Sequence, residues 1–471
     1  MTKKLKFFID QHGCAKNQVD GELIISFLEQ EGHCLVQDAS QADLIVINSC
    51  GFIESAKKES LDAVIEAKNS YPNAKILLTG CLAQRYAKDL HENLPETDGI
   101  FGNGDISKIK DLLADLMRGN RPILVPAQKG VSCGPRRMLL QYDGSAYVKI
   151  TEGCNNRCTF CAIPIIRGEL RSRKANEIVE EIKELLNRGI FEINLIGQDL
   201  AAYGTGLGDD VFSANKPGDG YVHLDSQEES SLALLLKEIS KLEGNFWIRL
   251  LYIHPDHFNR DILSVLQEDH RILPYFDIPF QSGDDSLILK MNRKGSAQKY
   301  LQMLETIRTA FPDFALRTTF MTGFPGESEE AFNNTLSFLK SIHADWSGCF
   351  TYSQEEDTPA ANFKPKVAKK IAASRAKILQ EAQAQITAQR LEQRVGQDYD
   401  VLIEELVQGE DGLAIGRAWF QAPDVDGSVV VSYEKDDPAQ ANCFKPGALV
   451  KVHINASSDV DLSGYFVSKA N

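Results

Sequence analysis

Three cysteines lie close together in the segment TEGCNNRCTFCAIP, at Cys154, Cys158 and Cys161, here called the loop set. Their C-x3-C-x2-C spacing puts three thiolates on one short loop. Such a loop can hold three irons of a cubane cluster and leave the fourth open for a non-protein ligand. A zinc site would need a fourth Cys or His, and this loop has neither. The spacing predicts an open iron–sulfur cluster, with zinc-bound or buried structural cysteines as the alternative.

A second set of three cysteines is spread along the first part of the chain. Cys14, Cys50 and Cys81, the sheet-edge set, each follow an apolar run, in KFFIDQHGC, LIVINSC and ILLTGC. If these runs are parallel strands of one sheet, the cysteines emerge at its carboxyl edge, where open α/β sheets place their sites. Three unrelated buried cysteines are the alternative. The others are interpreted as ordinary reduced residues: Cys34, Cys133, Cys349 and Cys443.

The elements that must position both sets predict two successive α/β domains. In residues 1–128 and 140–365, short apolar runs alternate with helical patterns, which is typical of parallel sheets. Six strands in the second region predict an open or closed α/β barrel with its chemistry at the strand carboxyl ends. The predicted strands are Leu5–Ile9, Leu44–Ile47, Ile76–Thr79, Tyr147–Ile150, Glu192–Ile196, Trp247–Tyr252, Tyr275–Ile278, Leu316–Met321 and Gly348–Tyr352. The predicted helices include Gly21–Glu31, Ala56–Ala67, Ala175–Arg188, Leu232–Leu242 and Glu329–Ile342.

Further segments complete the predicted α/β architecture. Residues 366–393, without Gly or Pro, predict a linker helix. Residues 394–471 predict a small β-barrel, because Gly and Pro separate short β-rich runs. Residues 203–231 are rich in Gly, Asp and Ser and are interpreted as a surface insertion. The four predicted strands of the small barrel are Tyr399–Leu406, Gly412–Arg417, Ser428–Ser432 and Leu449–Ile454.

Charge and hydropathy narrow the location and the partners. With 51 basic and 66 acidic residues the net charge is −15, which disfavours general nucleic-acid binding, since phosphates require Lys and Arg. The tail, 394–471, carries a net −7 and suits a basic protein partner. No apolar stretch is long enough to span a membrane and no signal-peptide pattern occurs, which predicts a cytoplasmic protein with reduced cysteines. Acidic residues expected to face the partner are Asp424, Asp426, Asp436 and Asp437.

The loop set resembles the signature of radical S-adenosylmethionine (SAM) enzymes, and GCNNRCTFCAIPIIRGELRSR resembles their methylthiotransferase branch. The resemblance implies a [4Fe–4S] cluster on the loop set, SAM on its open iron and Phe160 near the adenine. It also implies a second [4Fe–4S] cluster on the sheet-edge set and a C-terminal β-barrel called TRAM. The resemblance covers essentially the whole chain.

Two branches of this family differ in substrate. One adds a methylthio group to an adenosine of tRNA, the other to the β-carbon of an aspartate in ribosomal protein uS12. The strings INSCGFIESAKKES, FTYSQEEDTPA and GRAWFQAPDVDGSV resemble the second branch, whereas Ser282-Gly283 after Gln281 resembles the first. We therefore predict uS12 as the substrate and tRNA as the alternative. An iron–sulfur electron carrier is a third interpretation, although carriers typically bind every iron through cysteine.

The resemblance implies further contacts to SAM. Gln198 and Asp199 would reach its amino group, and a plain strand-ending turn is the alternative. Arg317 would meet its carboxylate as a fork donor, with a structural ion pair as the alternative. Gly323 in GFPGE would lie beside SAM, unless this string is only a turn and helix start. Reductive use of SAM also implies an electron donor such as flavodoxin or ferredoxin.

The pair His254 and His257 suggests a metal site at first sight. These residues flank Pro255-Asp256, and a proline in the first turn of a helix is common. We therefore interpret the histidines as part of a helix entry.

Overall fold

The structure, a computed structural model, describes residues 4–206, 208–209, 211–212, 229–409 and 412–470. Most of the predicted insertion at 203–231 therefore lies outside the described residues. The described chain contains two parallel sheets, a closed barrel and a two-stranded antiparallel sheet. No helix in this part of the chain is long and apolar enough to cross a bilayer.

The N-terminal region forms a parallel sheet in the order β2-β1-β3-β4-β5-β6. The central strands β3 and β4 are almost wholly buried, as expected for a parallel sheet with both faces covered. The three predicted strands are present, whereas the short strands β2, β5 and β6 gave no sequence signal. The elements are β1 (Lys6–Gln11), α1 (Ala15–Gln30), β2 (Cys34–Leu35), β3 (Leu44–Ser49), α2 (Glu54–Ser70), β4 (Lys75–Thr79), α3 (Gly80–Asn93), β5 (Gly99–Gly102), α4 (Ile109–Leu116) and β6 (Ile123–Leu124).

The central region forms a second parallel sheet of six strands, which is open, in the order β14-β13-β12-β11-β10-β7. All six predicted strands and the three predicted helices occur, and their side chains share one large apolar core. The strands are β7 (Ser145–Lys149), β8 (Thr151–Glu152), β9 (Arg171–Ser172), β10 (Glu192–Ile196), β11 (Trp247–Leu250), β12 (Ile272–Asp277), β13 (Ala315–Thr322) and β14 (Trp346–Thr351). The helices are α5 (Ile163–Arg167), α6 (Ala175–Asn187), α7 (Ser231–Ser240), α8 (Asp261–Glu268), α9 (Asp285–Lys290), α10 (Ala297–Ala310) and α11 (Glu329–Ile342).

The C-terminal region is a long helix followed by a closed barrel in the order β15-β16-β17-β19-β18. The barrel has five strands rather than the predicted four, because β19 pairs with both β17 and β18 and closes it. The elements are α12 (Lys369–Glu392), β15 (Asp398–Leu406), β16 (Leu413–Ala418), β17 (Val429–Ser432), α13 (Pro438–Ala441), β18 (Leu449–Ser457) and β19 (Leu462–Lys469).

The small barrel docks on the central sheet through buried charges. The Glu192 carboxylate accepts hydrogen bonds from Arg249 at 2.8 Å and from Arg417 of the small barrel at 2.6 Å. Tyr275 donates its hydroxyl proton to Asp426 at 2.6 Å, and Arg317 lies 3.4 Å from the same carboxyl group. The Asp426 side chain is fully buried. The prediction that Asp426 faces a basic partner is therefore wrong, because docking encloses it.

We expect Glu192→Gln to lower the free energy of unfolding by about 3 kcal/mol, since it leaves two buried guanidinium groups without their shared carboxylate. The chain has three tryptophans, at 247, 346 and 419. Two of them form hydrogen bonds across this interface. The Trp346 indole N–H donates to the Phe420 carbonyl, and the Trp419 carbonyl accepts from Arg249. Tryptophan fluorescence during urea unfolding therefore reports on the docking. The exposed Glu184→Gln is the control, and equal midpoints for the two variants would contradict the prediction.

Candidate functional site

The loop set directly follows β7 and the short strand β8. Strands β8 and β9 pair with each other and so bracket the loop that carries the cysteines. Gly153 has a positive φ of 75°, and a Cβ there would lie 2.1 Å from the carbonyl oxygen of Glu169. Cys154 N–H donates to the Gly168 carbonyl at 3.1 Å, and Cys161 N–H to that of Cys158 at 3.0 Å. The loop is thus closed on itself, with its thiols at the carboxyl edge of the sheet.

Burial makes the thiols of Cys154 and Cys161 weak acids. Burial, and then the charge of Asp199, raise the pKa of Cys154 to about 12. Burial and the neighbouring Cys158 also raise the pKa of Cys161. As free thiols Cys154 and Cys161 stay protonated at neutral pH, and a bound cation makes their deprotonation favourable.

The structure brings His254 to the loop set, which the local sequence could not show. Its Nε2 lies 3.9 Å from the Cys158 sulfur, while its Nδ1 accepts a hydrogen bond from the Asp256 N–H at 3.2 Å. Burial, and then Arg293, lower the pKa of His254 to about 3, so the ring is neutral. In this tautomer Nε2 carries the proton and faces the sulfur as a donor rather than as a fourth ligand. The predicted helix entry is present as a one-turn 3-10 helix, Pro255–His257.

The sheet-edge set meets as predicted at the carboxyl ends of three parallel strands, β1, β3 and β4. Two glycines allow the close approach. A Cβ on Gly13, which has φ of 90°, would lie 3.1 Å from the Cβ of Cys50, and one on Gly51 only 2.8 Å from the backbone of Cys81. Asn17 ties the loops together, because its amide donates to the carbonyls of His12, Asn48 and Ser49.

Arg167 connects the two cysteine sets across the domain interface. It ends α5, the single helical turn that follows the loop set, and its Nη2 donates to the Cys81 sulfur at 3.2 Å. Asn103 donates to the same sulfur at 3.4 Å. Burial raises the pKa of Cys81 to about 12, although Arg167 lowers it. Cys81 also packs against Ala162, the residue after Cys161. Cys81 of the sheet-edge set therefore packs against the short helix that directly follows the loop set.

The predicted SAM-contacting residues Gln198 and Asp199 differ in their availability. Asp199 is buried, and four donors occupy its carboxylate: the backbone N–H groups of Ala201 and His254 and the side chains of Asn156 and His257. It therefore fastens the loop and offers no free oxygen. Gln198 donates to Glu152 at 3.3 Å, and its buried Oε1 has no partner among the described residues.

Arg317 forms structural ion pairs, which was the alternative to its predicted contact with the SAM carboxylate. It lies 3.2 Å from Asp277 and 3.4 Å from Asp426. Two carboxylates thus occupy it before any cofactor binds. The fork predicted for the SAM carboxylate is therefore engaged in domain docking.

Gly323 and Phe160 lie on one side of the loop set. Gly323 has φ of 76°, its N–H donates to Glu327, and a Cβ there would meet the Cβ of Ala372 on α12 at 2.4 Å. Phe160 packs edge-on against Phe324 at 6.5 Å between ring centroids. Ser282, which resembled the tRNA branch, is buried and bonded to Thr335. It therefore has a structural role here.

Sequence reasoning missed a charged contact between the domains. Glu355 of the central region is buried and lies 2.8 Å from Lys57 on α2 and 2.7 Å from Arg85 on α3. Arg85 also donates to the carbonyl of Gly51, next to Cys50. Glu355 lies in the string FTYSQEEDTPA, but its side-chain partners lie some 270 to 298 residues away.

Comparison with known proteins identifies the family. The profile "Uncharacterized protein family UPF0004" matches residues 6–102, "Radical SAM superfamily" residues 148–339 and "TRAM domain" residues 395–467. A Treponema denticola protein named ribosomal protein uS12 methylthiotransferase RimO is 51% identical, over 98% of this chain and 100% of that protein. The chain belongs to the uS12 methylthiotransferase family. A member from Thermotoga maritima is 38% identical over 89% of this chain and 92% of its own length.

The chain also resembles a solved radical SAM enzyme in its fold. The structure of the radical SAM methyltransferase TsrM from Kitasatospora setae matches 88% of this chain and 81% of its own, with a TM-score of 0.54 and 13% identity. This likeness concerns the fold alone.

The residues of both sets fit iron–sulfur clusters. Each set offers three thiols, and a cubane with three protein ligands keeps one iron open. Cys81 receives two N–H donors, the kind of contact that supports a thiolate bound to metal. The unpartnered Gln198 Oε1 lies in the loop after β10, at the same sheet edge as the loop set, where it can accept from an ammonium group.

Proposed function

We propose that the chain is a radical SAM methylthiotransferase that replaces a hydrogen on the β-carbon of an aspartate of uS12 with a methylthio group. The observation that carries this proposal is the meeting of two three-cysteine domains, because Cys81 packs against Ala162, next to Cys161, and bonds to Arg167. No protein side chain has the reactivity to break an unactivated C–H bond, and the bound clusters and SAM supply the radical, the sulfur and the methyl group.

The residues of the chain hold and shield these groups. We propose the loop set as ligands of one [4Fe–4S] cluster and the sheet-edge set as ligands of the other. Gln198, Phe160 and Gly323 are proposed SAM contacts, while Asp199 positions the loop. Arg85 and Glu355 keep the domains in register, so that the two clusters act on one carbon and water is excluded.

The other parts of the proposal concern boundaries and partners. We propose 1–128, 140–365, 366–393 and 394–471 as the functional units, supported by the matched profile ranges. A ribosomal protein substrate favours the cytoplasm as the place of action. Reductive use of SAM favours a flavodoxin or ferredoxin as the electron donor. The acidic tail favours uS12 over tRNA.

Addition of SAM to the anaerobically reconstituted protein tests whether the chain is an enzyme or an electron carrier. A radical SAM enzyme should change its electron paramagnetic resonance (EPR) spectrum on SAM addition and release 5′-deoxyadenosine under reduction. A carrier whose irons are all bound by protein should do neither. An unchanged spectrum together with no 5′-deoxyadenosine would reject the proposal.

We expect Arg167→Lys to lower the reduction potential of the sheet-edge cluster by on the order of 50 mV. A donor to a cluster thiolate favours the more negative reduced state, and the lost bond is worth about 1 kcal/mol. The potential is measured by EPR titration in a background that lacks the loop set, so that one cluster gives the signal. Arg171→Lys is the control, since Arg171 contacts only backbone carbonyls nearby. Equal potentials for both variants would contradict the assignment.

A further inference from the structure

Most buried cations in the described part of the chain have a carboxylate partner. Ten Lys and Arg residues are buried there, and eight of them have a carboxylate oxygen within 4.0 Å. Lys16 and Arg293 are the two exceptions. The eight paired residues are Arg136, Lys149, Arg167, Arg173, Arg249, Arg375, Arg394 and Arg417.

Lys16 lies at the interface between the N-terminal and central domains, which carry the two cysteine sets. It is in the first turn of α1, two residues after Cys14, and only 7% of it is exposed. Its Nζ crosses the domain interface to the Gly197 carbonyl at 2.9 Å and sits 3.4 Å from the centre of the Tyr252 ring. An ammonium group has three N–H donors. The carbonyl and the ring face use two of them and leave one.

Arg293 has a different environment. Its Nη1 donates to the carbonyls of Pro279 and Phe280, within the central domain. Its charge acts on Cys154 and Cys161 of the loop set. Lys16 is thus the unpaired cation that bridges both domains, next to Gly197 and Gln198 on one side and Cys14 on the other.

The proposed reaction brings the negative charge of a substrate carboxylate to the interface between the two domains. The target carbon must be reached from both cofactor sites, and an aspartate carboxylate is directly bonded to that β-carbon. Moving a carboxylate out of water is unfavourable unless a cation pairs with it. A neutral nucleobase would not compensate an isolated buried ammonium.

We infer that Lys16 is the substrate-specificity residue, whose ammonium binds the carboxylate of the target aspartate. This inference rests on the proposed function and names the group that selects an acidic side chain. It explains why Lys16 is buried at the domain interface without a carboxylate partner among the described residues.

A double-mutant cycle tests the pairing. Affinity for uS12 is measured by fluorescence anisotropy with anaerobic holoenzyme, for wild type and Lys16→Met, each with uS12 carrying the modified aspartate or Asn in its place. For wild type, Asp→Asn should weaken binding at least tenfold, the size of a charged hydrogen bond. For Lys16→Met, Asp→Asn should change binding less than twofold. Lys58→Met is the matched control, because Lys58 is exposed on α2.

Iron content and EPR spectra of Lys16→Met show whether the clusters are intact. An equal Asp→Asn effect in wild type and Lys16→Met would overturn the inference. If, in addition, Lys16→Met shifts the reduction potential of the sheet-edge cluster, Lys16 is a counter-ion of that cluster and the inference is overturned as well. If wild type modifies uS12, such results reject Lys16 alone. If wild type does not modify uS12, the proposed function fails and the inference fails with it.

Discussion

Replacing Cys154, Cys158 and Cys161 with Ala should abolish reductive cleavage of SAM, with 5′-deoxyadenosine at the level of a sample without protein. Without these thiolates the cluster proposed to bind SAM is lost, and no side chain of the protein can supply its chemistry. Iron in the anaerobically reconstituted protein should fall to half the wild-type content, because one of two cubanes is lost. Iron analysis and chromatography of 5′-deoxyadenosine give both readings on one sample.

A matched variant controls for the loss of three thiols. Cys34, Cys133 and Cys443 belong to neither set, and the first two are exposed. Their replacement with Ala should leave iron content and 5′-deoxyadenosine formation within twofold of wild type. Wild-type cleavage by the variant without Cys154, Cys158 and Cys161 would remove the assigned role of the loop set.

Replacing Cys14, Cys50 and Cys81 with Ala should separate the two activities. SAM cleavage should continue slowly, because the loop set belongs to another domain, whereas methylthiolated product should fall below detection. The sheet-edge cluster is the proposed source of the inserted sulfur. Among these three thiols, Cys81 accepts hydrogen bonds from both Arg167 and Asn103. Product is quantified by mass spectrometry of uS12 and cleavage by 5′-deoxyadenosine in the same reaction.

The variant with Cys34, Cys133 and Cys443 replaced by Ala again controls for the loss of three thiols. A normal yield of methylthiolated product from the variant without Cys14, Cys50 and Cys81 would contradict a two-cluster enzyme. Loss of both activities with intact loop-set EPR signals would contradict the separation of roles.

Local patterns predicted much of the fold. Helix α11 occupies Glu329–Ile342 as predicted, because Ser328 caps it and its apolar period is regular. The position of the sheet-edge set was predicted because each cysteine follows a strand of one parallel sheet. In contrast, β19 was missed, since Ser463 and Gly464 interrupt its apolar pattern and pairing with β18 supplies its order.

Contacts that depend on domain docking could not be predicted. Asp426 lies in an acidic segment that is typical of an exposed loop, but Tyr275 and Arg317 enclose its side chain. Arg167 reaches Cys81 from 86 residues along the chain. No local period or motif encodes such a contact, because it arises only when two independently formed surfaces meet.

The choice between uS12 and tRNA as the substrate can be tested in one competition experiment. Anaerobic holoenzyme, SAM and reductant are incubated with uS12 and unmodified tRNA together, and both are digested and analysed by mass spectrometry. We expect one methylthio group on a single aspartate of uS12, with fragmentation placing it on the β-carbon, and no methylthioadenosine. Methylthioadenosine in tRNA with unmodified uS12 would overturn the proposed function.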